Sequence, residues 1–201
     1  MKAHDHLALD PVMAGLIARH GKLRLRRSRT EPYEALCEAV VYQQLHAKAA
    51  ATIYGRVVER IGAGTFPAPD RLLAAPDEAL RAAGLSRNKL AALRDIARHA
   101  ADGRLPTRAA CEHLSDAALI ARLTDIRGIG RWTVEMFLMF HLGRPDVLPA
   151  DDLGVRKGFQ AAYRKKEPPA PQALAAFGER WAPRRTYAAL YLWRAADQDG
   201  A

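Results

Sequence analysis

Residues Leu123 to Phe140 read LTDIRGIGRWTVEMFLMF, and the reading of this stretch decides the fold. A helical pattern ends near Leu123, two glycines flank Ile129, and an apolar helical pattern starts at once and runs from Arg131 to about Leu142. Gly128 and Gly130 open backbone dihedrals that other residues avoid and leave no side chain between the turn and a ligand. Ile129 is placed to anchor the turn in a core. The leading amides of the second helix point outward, where the helix end favours an anion. Arg127, Arg131 and the Thr133 hydroxyl surround that point. Such a turn is a cradle for a backbone phosphate, which positions a polymer without reading its sequence. A plain helix corner with a glycine cap shares the GxG, so the reading also leans on the basic and apolar residues around it.

Outward from the hairpin, three-four apolar spacing continues and β-branched runs are scarce, which predicts an all-α protein. Asp10-Pro11 opens a short helix to about His20, and Glu31-Pro32 opens one through Tyr42. A further helix spans about Ala47 to Ile61. Asp70 and Asp77 read as caps of two short helices, Ser86 as the cap of one running to about Ala101, and Ser115 of one ending at Leu123. Asp151 begins a helix to about Tyr163, and the last two helices start from Pro171 and Pro183. KLRLRRSR (Lys22 to Arg29) alternates briefly, as an extended arm or a charged linker would.

Composition narrows the partner. The 201 residues are 49% hydrophobic, enough for a sizeable core, and 31 Lys and Arg against 22 Asp and Glu leave a net charge of +9. That balance favours a polyanion, with nucleic acid ahead of an anionic membrane surface. The two cysteines, Cys37 and Cys111, cannot build a four-cysteine zinc or iron–sulfur site. The N-terminal residues have no apolar run of the signal-peptide kind, and no stretch approaches the ~20 apolar residues of a membrane span. A cytoplasmic location follows as the expectation, with association to the nucleoid in a bacterium.

LTDIRGIGRWT resembles the hairpin of the helix-hairpin-helix DNA glycosylases, and DVLPADDLGVRKGF (146–159) resembles the Pro-and-Asp loop that follows it in that family. AVVYQQLHAKAA (39–50), GLSRNKLAALRDIA (84–97) and ERWAPRRTYAALYLW (179–193) are similar to further family segments in the family's order. The likeness is to the alkyl-base branch, 3-methyladenine DNA glycosylase II and its compact relatives without an N-terminal β domain. It covers roughly residues 30 to 195.

The resemblance implies a fold of two helical lobes with a helix-hairpin-helix motif and a DNA-binding cleft between the lobes. The whole chain is then one glycosylase unit. About 31–115 forms a first lobe with a wedge loop, about 116–165 carries the hairpin and the catalytic Asp, and 1–30 with 166–201 forms the second lobe. The implied activity is hydrolysis of the N-glycosidic bond of a flipped-out alkylated purine, leaving an abasic site in base excision repair. Asp152 matches the family's catalytic carboxylate by register, and Asp151 fits as the helix N-cap. Leu45 matches the wedge that fills the hole left by the flipped base, with Gln44 and His46 beside it and Gln43 supporting the loop.

Trp193, Trp132, Met136 and Tyr42 are the implied base pocket, where electron-rich rings attract a cationic base. By the same resemblance, Met136 stands where similar family members have Tyr. Phe137, Phe140, Tyr187, Tyr191 and Trp181 read as core. Glycosylases that also nick the backbone carry a Lys just after the hairpin glycines; the aligned residue here is Trp132, so a monofunctional enzyme without lyase activity is implied. Lys157 reads as a surface or DNA-facing charge. No cofactor is required, and the backbone carbonyls of Thr124, Ile126 and Ile129 match those that hold a structural Na⁺ or K⁺ in similar hairpins. The partner is double-stranded DNA with a damaged base, and the protein is expected to act as a monomer. Two rivals share these features: a glycosylase for another lesion or mismatch, and a non-catalytic hairpin protein that binds damage.

Overall fold

Side-chain caps start the helices at several of the predicted places. The computed structural model describes residues 3–197; Met1, Lys2 and residues 198–201, the ends of the segments assigned to the second lobe, lie outside the described residues. Among the described residues every regular element is helical. Asp10 accepts from the Val12 and Met13 amides to start Pro11–His20, Ser86 from Lys89 to start Arg87–Ala101, and Ser115 from Ala118 to start Asp116–Thr124. Asp70 and Asp77 do not cap. They lie inside Pro69–Ala74 and Asp77–Ala82, whose N-caps are Ala68 and Pro76, because proline supplies the entry geometry without a side-chain acceptor. Two helices were not predicted, Ala3–Leu7 and Arg108–His113, the latter capped by the Thr107 hydroxyl.

The chain divides into two compact units. One is Arg29–Phe137; the other joins Met1–Ser28 to Leu138–Ala201. The division falls inside the segment 116–165 that the sequence pattern groups together. It leaves the hairpin in the first unit and Asp152 in the second.

The 29–137 unit packs Pro32–Tyr42, Pro69–Ala74 and Arg87–Ala101 around Leu36, Val41, Leu72, Leu80, Leu93 and Ile96. Arg94 ties the end of Pro69–Ala74 into this core by donating to the Leu73 and Ala75 carbonyls at 2.7 Å each. In the other unit, Leu153–Ala162 lies against Arg185–Ala196. Phe159, Tyr163, Phe177 and Trp181 form an aromatic cluster beside them, with Phe159 and Tyr163 stacked at 4.4 Å.

Two polar clamps fix this second unit. Asp10 caps its helix with Oδ1, while Oδ2 accepts from the Tyr163 hydroxyl and the Trp181 indole. Burial and this hydrogen bond to Asp10 both push the Tyr163 hydroxyl's pKa up. Asp146 accepts from the Arg185 amide and from its guanidinium through both carboxylate oxygens. Burial alone would raise the Asp146 carboxyl, but these donors hold it below the ordinary carboxylate range. The Thr186 hydroxyl donates to the Arg144 carbonyl and accepts from the Val147 amide, so the loop leading to Asp152 is stapled to the start of the last helix.

Asp10→Ala should therefore lose a cap and leave two ring donors without an acceptor. The expected cost is about 2–4 kcal/mol, read as a lowered denaturation midpoint; a loss confined to a few tenths of a kcal/mol would contradict the clamp.

Candidate active site

Asp152 stands at the N-terminus of Leu153–Ala162 as its N-cap. Its Oδ1 accepts from the Val155 amide at 2.8 Å and from the Trp193 indole nitrogen at 2.9 Å. The predicted cap, Asp151, is exposed and outside the helix. The reason is the turn before it: the Asp152 amide donates to the Pro149 carbonyl, which carries the chain one residue further before the helix begins. The proposed catalytic residue and the cap are thus one side chain, held in plane by two donors.

Trp193 reaches Asp152 because two glycines let the helices close. A Cβ on Gly158 would fall 1.8 Å from the Leu192 carbonyl oxygen, so backbone meets backbone there. A Cβ on Gly154 would meet Trp193 Cδ1 at 2.9 Å and Asp152 Oδ1 at 3.0 Å. Gly154 and Gly158, four apart, line one helix face, a spacing that the sequence carries and the motif reading passes over.

Phe140 completes this half of the site. It was expected in the core, yet it is 46% exposed and stacks on Trp193 with centroids 6.0 Å apart and planes at 30°. The predicted helix from Arg131 to Leu142 keeps α geometry only over Arg131–Met136 and then widens into a π turn over Phe137–His141. One extra residue in a turn shifts the phase of all that follows, and Phe140 moves outward. Phe137, Tyr191 and Trp181 are buried as predicted, while Tyr187 is half-buried.

The hairpin lies in the other unit. Gly128 has φ +80° and a Cβ there would meet the Ala92 methyl at 2.9 Å. Gly130, the N-cap of Arg131–Met136, has φ −90°, which any residue adopts, and nothing lies within 4 Å of its Cβ position. Strain therefore explains the first glycine and open space the second. Ile126 and Ile129 are buried, and the Ile129 amide donates to the Ile126 carbonyl at 3.1 Å, closing the turn. Thr124 ends the preceding helix, its hydroxyl returned to the Ile120 carbonyl. Arg127 is exposed, with its amide held by Asp95; Arg131 is exposed and pairs with the buried Glu135 at 2.9 Å.

Thr133 departs from its predicted place. It is buried, and its hydroxyl accepts from the Gln43 side-chain amide at 3.3 Å rather than facing a phosphate. The same Gln43 nitrogen donates to the Gly128 carbonyl at 3.1 Å. Lys89 donates to the Val41 and Gln43 carbonyls at 2.7 and 2.8 Å, and burial lowers its pKa. The QQLH turn is thus tied at its Gln43 end both to the hairpin and to Arg87–Ala101. At its tip Gln44 has φ +56°, a left-handed conformation uncommon for a residue with a side chain. Leu45 is 39% exposed, between exposed Gln44 and His46. Trp132 is exposed in the same unit, with Met136 and Tyr42 half-buried. Lys157 is exposed on the helix that Asp152 caps.

The sequence profile of the HhH-GPD superfamily base excision DNA repair proteins matches residues 37–184. The chain belongs to this family. Its two units carry the family's all-helical glycosylase fold. Among relatives of this HhH-GPD protein, DNA-3-methyladenine glycosylase 1 of Schizosaccharomyces pombe is 44% identical over 196 residues, covering 96% of this chain and 86% of the relative. The structure of the S. pombe 3-methyladenine DNA glycosylase in complex with abasic DNA superposes with a TM-score of 0.86 over 96% of each chain. That of the Bacillus halodurans DNA-3-methyladenine glycosidase is 39% identical, with a TM-score of 0.87 over 97% of this chain and 88% of that one.

Gly154→Ala should push Trp193 off Asp152. We expect single-turnover base release to fall about a hundredfold, the scale of a 1 Å misplacement. Gly15→Ala is the control: its Cβ meets nothing within 4 Å, in mid-helix. It should raise stability by about 0.5–1 kcal/mol and leave release unchanged. Equal activity of the two variants would refute the crossing as the device that positions Asp152.

Proposed function

We propose that this protein is a DNA-3-methyladenine glycosylase of base excision repair: a monofunctional hydrolase that flips an alkylated purine out of double-stranded DNA and releases it. The observation that carries the reading is Asp152, gripped by the Val155 amide and the Trp193 indole beside the exposed face of Phe140. The 44% identical S. pombe relative supports the substrate class.

The chemistry follows from charge. A 3-alkylated adenine or 7-alkylated guanine is cationic in DNA. Breaking its bond to C1′ returns the electron pair to the base, which leaves neutral. Positive charge then gathers on the deoxyribose, and a fixed carboxylate beside it stabilises that centre without reorganisation. Water adds to C1′ and gives a proton to the Asp152 carboxylate. No separate acid has to protonate the leaving base. Trp193 and Phe140 offer ring faces to a cationic base.

Leu45 fills the space the base vacates, flanked by Gln44 and His46. The Gly128–Gly130 turn, Arg127 and Arg131 hold the phosphate backbone, with the Thr133 hydroxyl serving the Gln43 link instead. Trp132 stands where a lyase would carry its amine, so the abasic product keeps its backbone. The Thr124, Ile126 and Ile129 carbonyls are hard oxygen donors suited to Na⁺ or K⁺; Ile126 keeps a second lone pair beyond its bond to Ile129. Such an ion, when bound, adds positive charge for a phosphate. Among the described residues no helix is long and apolar enough to cross a membrane. We read the protein as a cytoplasmic monomer.

Asp152→Asn should abolish release of 3-methyladenine from methylated duplex while keeping affinity for DNA, since Asn still caps the helix. Release at the wild-type rate would sink the assignment. The hairpin glycines should separate: Gly130→Ala keeps the wild-type melting temperature but binds duplex more weakly, whereas Gly128→Ala lowers the melting temperature through its positive φ. Unchanged duplex binding by Gly130→Ala would remove the phosphate role from this turn.

A further inference from the structure

The segment Gly21–Ser28 belongs to no helix, yet it is pinned along its length. The buried Tyr191 hydroxyl donates to the Gly21 carbonyl at 2.7 Å and accepts from the Leu23 amide at 3.2 Å. The Ser28 amide donates to the His141 carbonyl at 3.2 Å. Arg27 lies across Gly143, where a Cβ would come within 2.5 Å of its Cγ. Between these anchors exposure alternates: Lys22, Arg24 and Arg26 are exposed, Leu23 and Leu25 half-buried. That period of two is the signature of extended backbone, with alternate side chains on one side.

The charge on this arm is unbalanced. No acidic residue occurs between Asp10 and Glu31 in the sequence. Among the described residues, none of the ion pairs named by the structure involves Lys22, Arg24 or Arg26. An unstructured basic linker would let its charges spread apart. Here the chain is anchored at Gly21, Leu23 and Ser28, on either side of these charges, and in extended backbone alternate positions repeat about 6.6 Å apart. That is the scale on which phosphates repeat along one nucleic-acid strand.

We propose that Lys22, Arg24 and Arg26 form a phosphate-binding arm for duplex DNA, separate from the hairpin, that binds undamaged and damaged DNA alike. The proposal rests on the protein acting on DNA. Its role is to add sequence-independent affinity, the counterion-release term, without touching the chemistry at Asp152.

The test uses the full chain with Lys22→Gln, Arg24→Gln and Arg26→Gln combined, leaving Arg27 in place over Gly143. Affinity for an undamaged duplex is measured across salt concentrations. The slope of log affinity against log salt should shrink by about 0.9 for each phosphate no longer neutralised, up to about 2.7 for all three. Release of 3-methyladenine under saturating single-turnover conditions should stay at the wild-type rate, and the melting temperature should not move. An unchanged slope overturns the arm. So does a variant that keeps its slope on duplex but loses binding to phosphatidylserine vesicles, which would make this a membrane-facing patch. A second variant, Arg24→Glu with Arg26→Glu, should weaken duplex binding further at low salt; wild-type affinity there also overturns it. Wild-type protein that binds duplex but releases no base would fail the glycosylase reading and leave the slope result standing.

Discussion

Everything proposed for the chemistry depends on how closely two helices cross. At Gly158 the Leu153–Ala162 helix meets the backbone of Leu192, and one turn earlier Gly154 leaves room for the Trp193 ring. That approach brings an indole N–H within 2.9 Å of the Asp152 carboxylate. A Cβ at Gly158 would run into the Leu192 backbone, and one at Gly154 into the Trp193 ring and the Asp152 carboxylate itself. The carboxylate's orientation is therefore set by backbone packing in the middle of a helix pair, several residues from the reacting atoms.

The same unit shows why an N-cap suits the role proposed for Asp152. An N-cap side chain is already fixed by a helix amide, so it has little rotamer freedom left to lose at the moment of reaction. The Asp146–Arg185 and Thr186 bonds hold the approach loop to the first turn of the helix that carries Trp193. Both donors to Asp152 thus sit on elements that are tied to each other before any ligand arrives.

Much of the fold around the candidate site could be read from residue order. The GIG turn with basic flanks placed the hairpin, serine caps placed two of the helices around it, and register against a family pattern selected Asp152. What could not be read was geometry that depends on one residue more or less. Asp151 and Asp152 have identical capping chemistry, and only the Pro149 turn decides between them. Phe140 sits on the inner face of a regular helix and on the outer face of one that widens after Met136. Thr133 looked like a phosphate ligand because its partner, Gln43, is ninety residues away in sequence.

The Gln43 bridge has a consequence for what this loop can become. Surface turns usually tolerate added residues, because the entropy of loop closure grows slowly with length. The QQLH turn is fastened at Gln43, whose side chain donates to the Gly128 carbonyl and the Thr133 hydroxyl and whose own carbonyl accepts from Lys89. The residue that begins the turn is therefore part of the hairpin's own hydrogen bonding. An insertion before Gln43 would carry its amide away from the hairpin, whereas one beside Leu45 leaves these bonds in place. Tolerance of added residues is then confined to the exposed tip beyond Gln43.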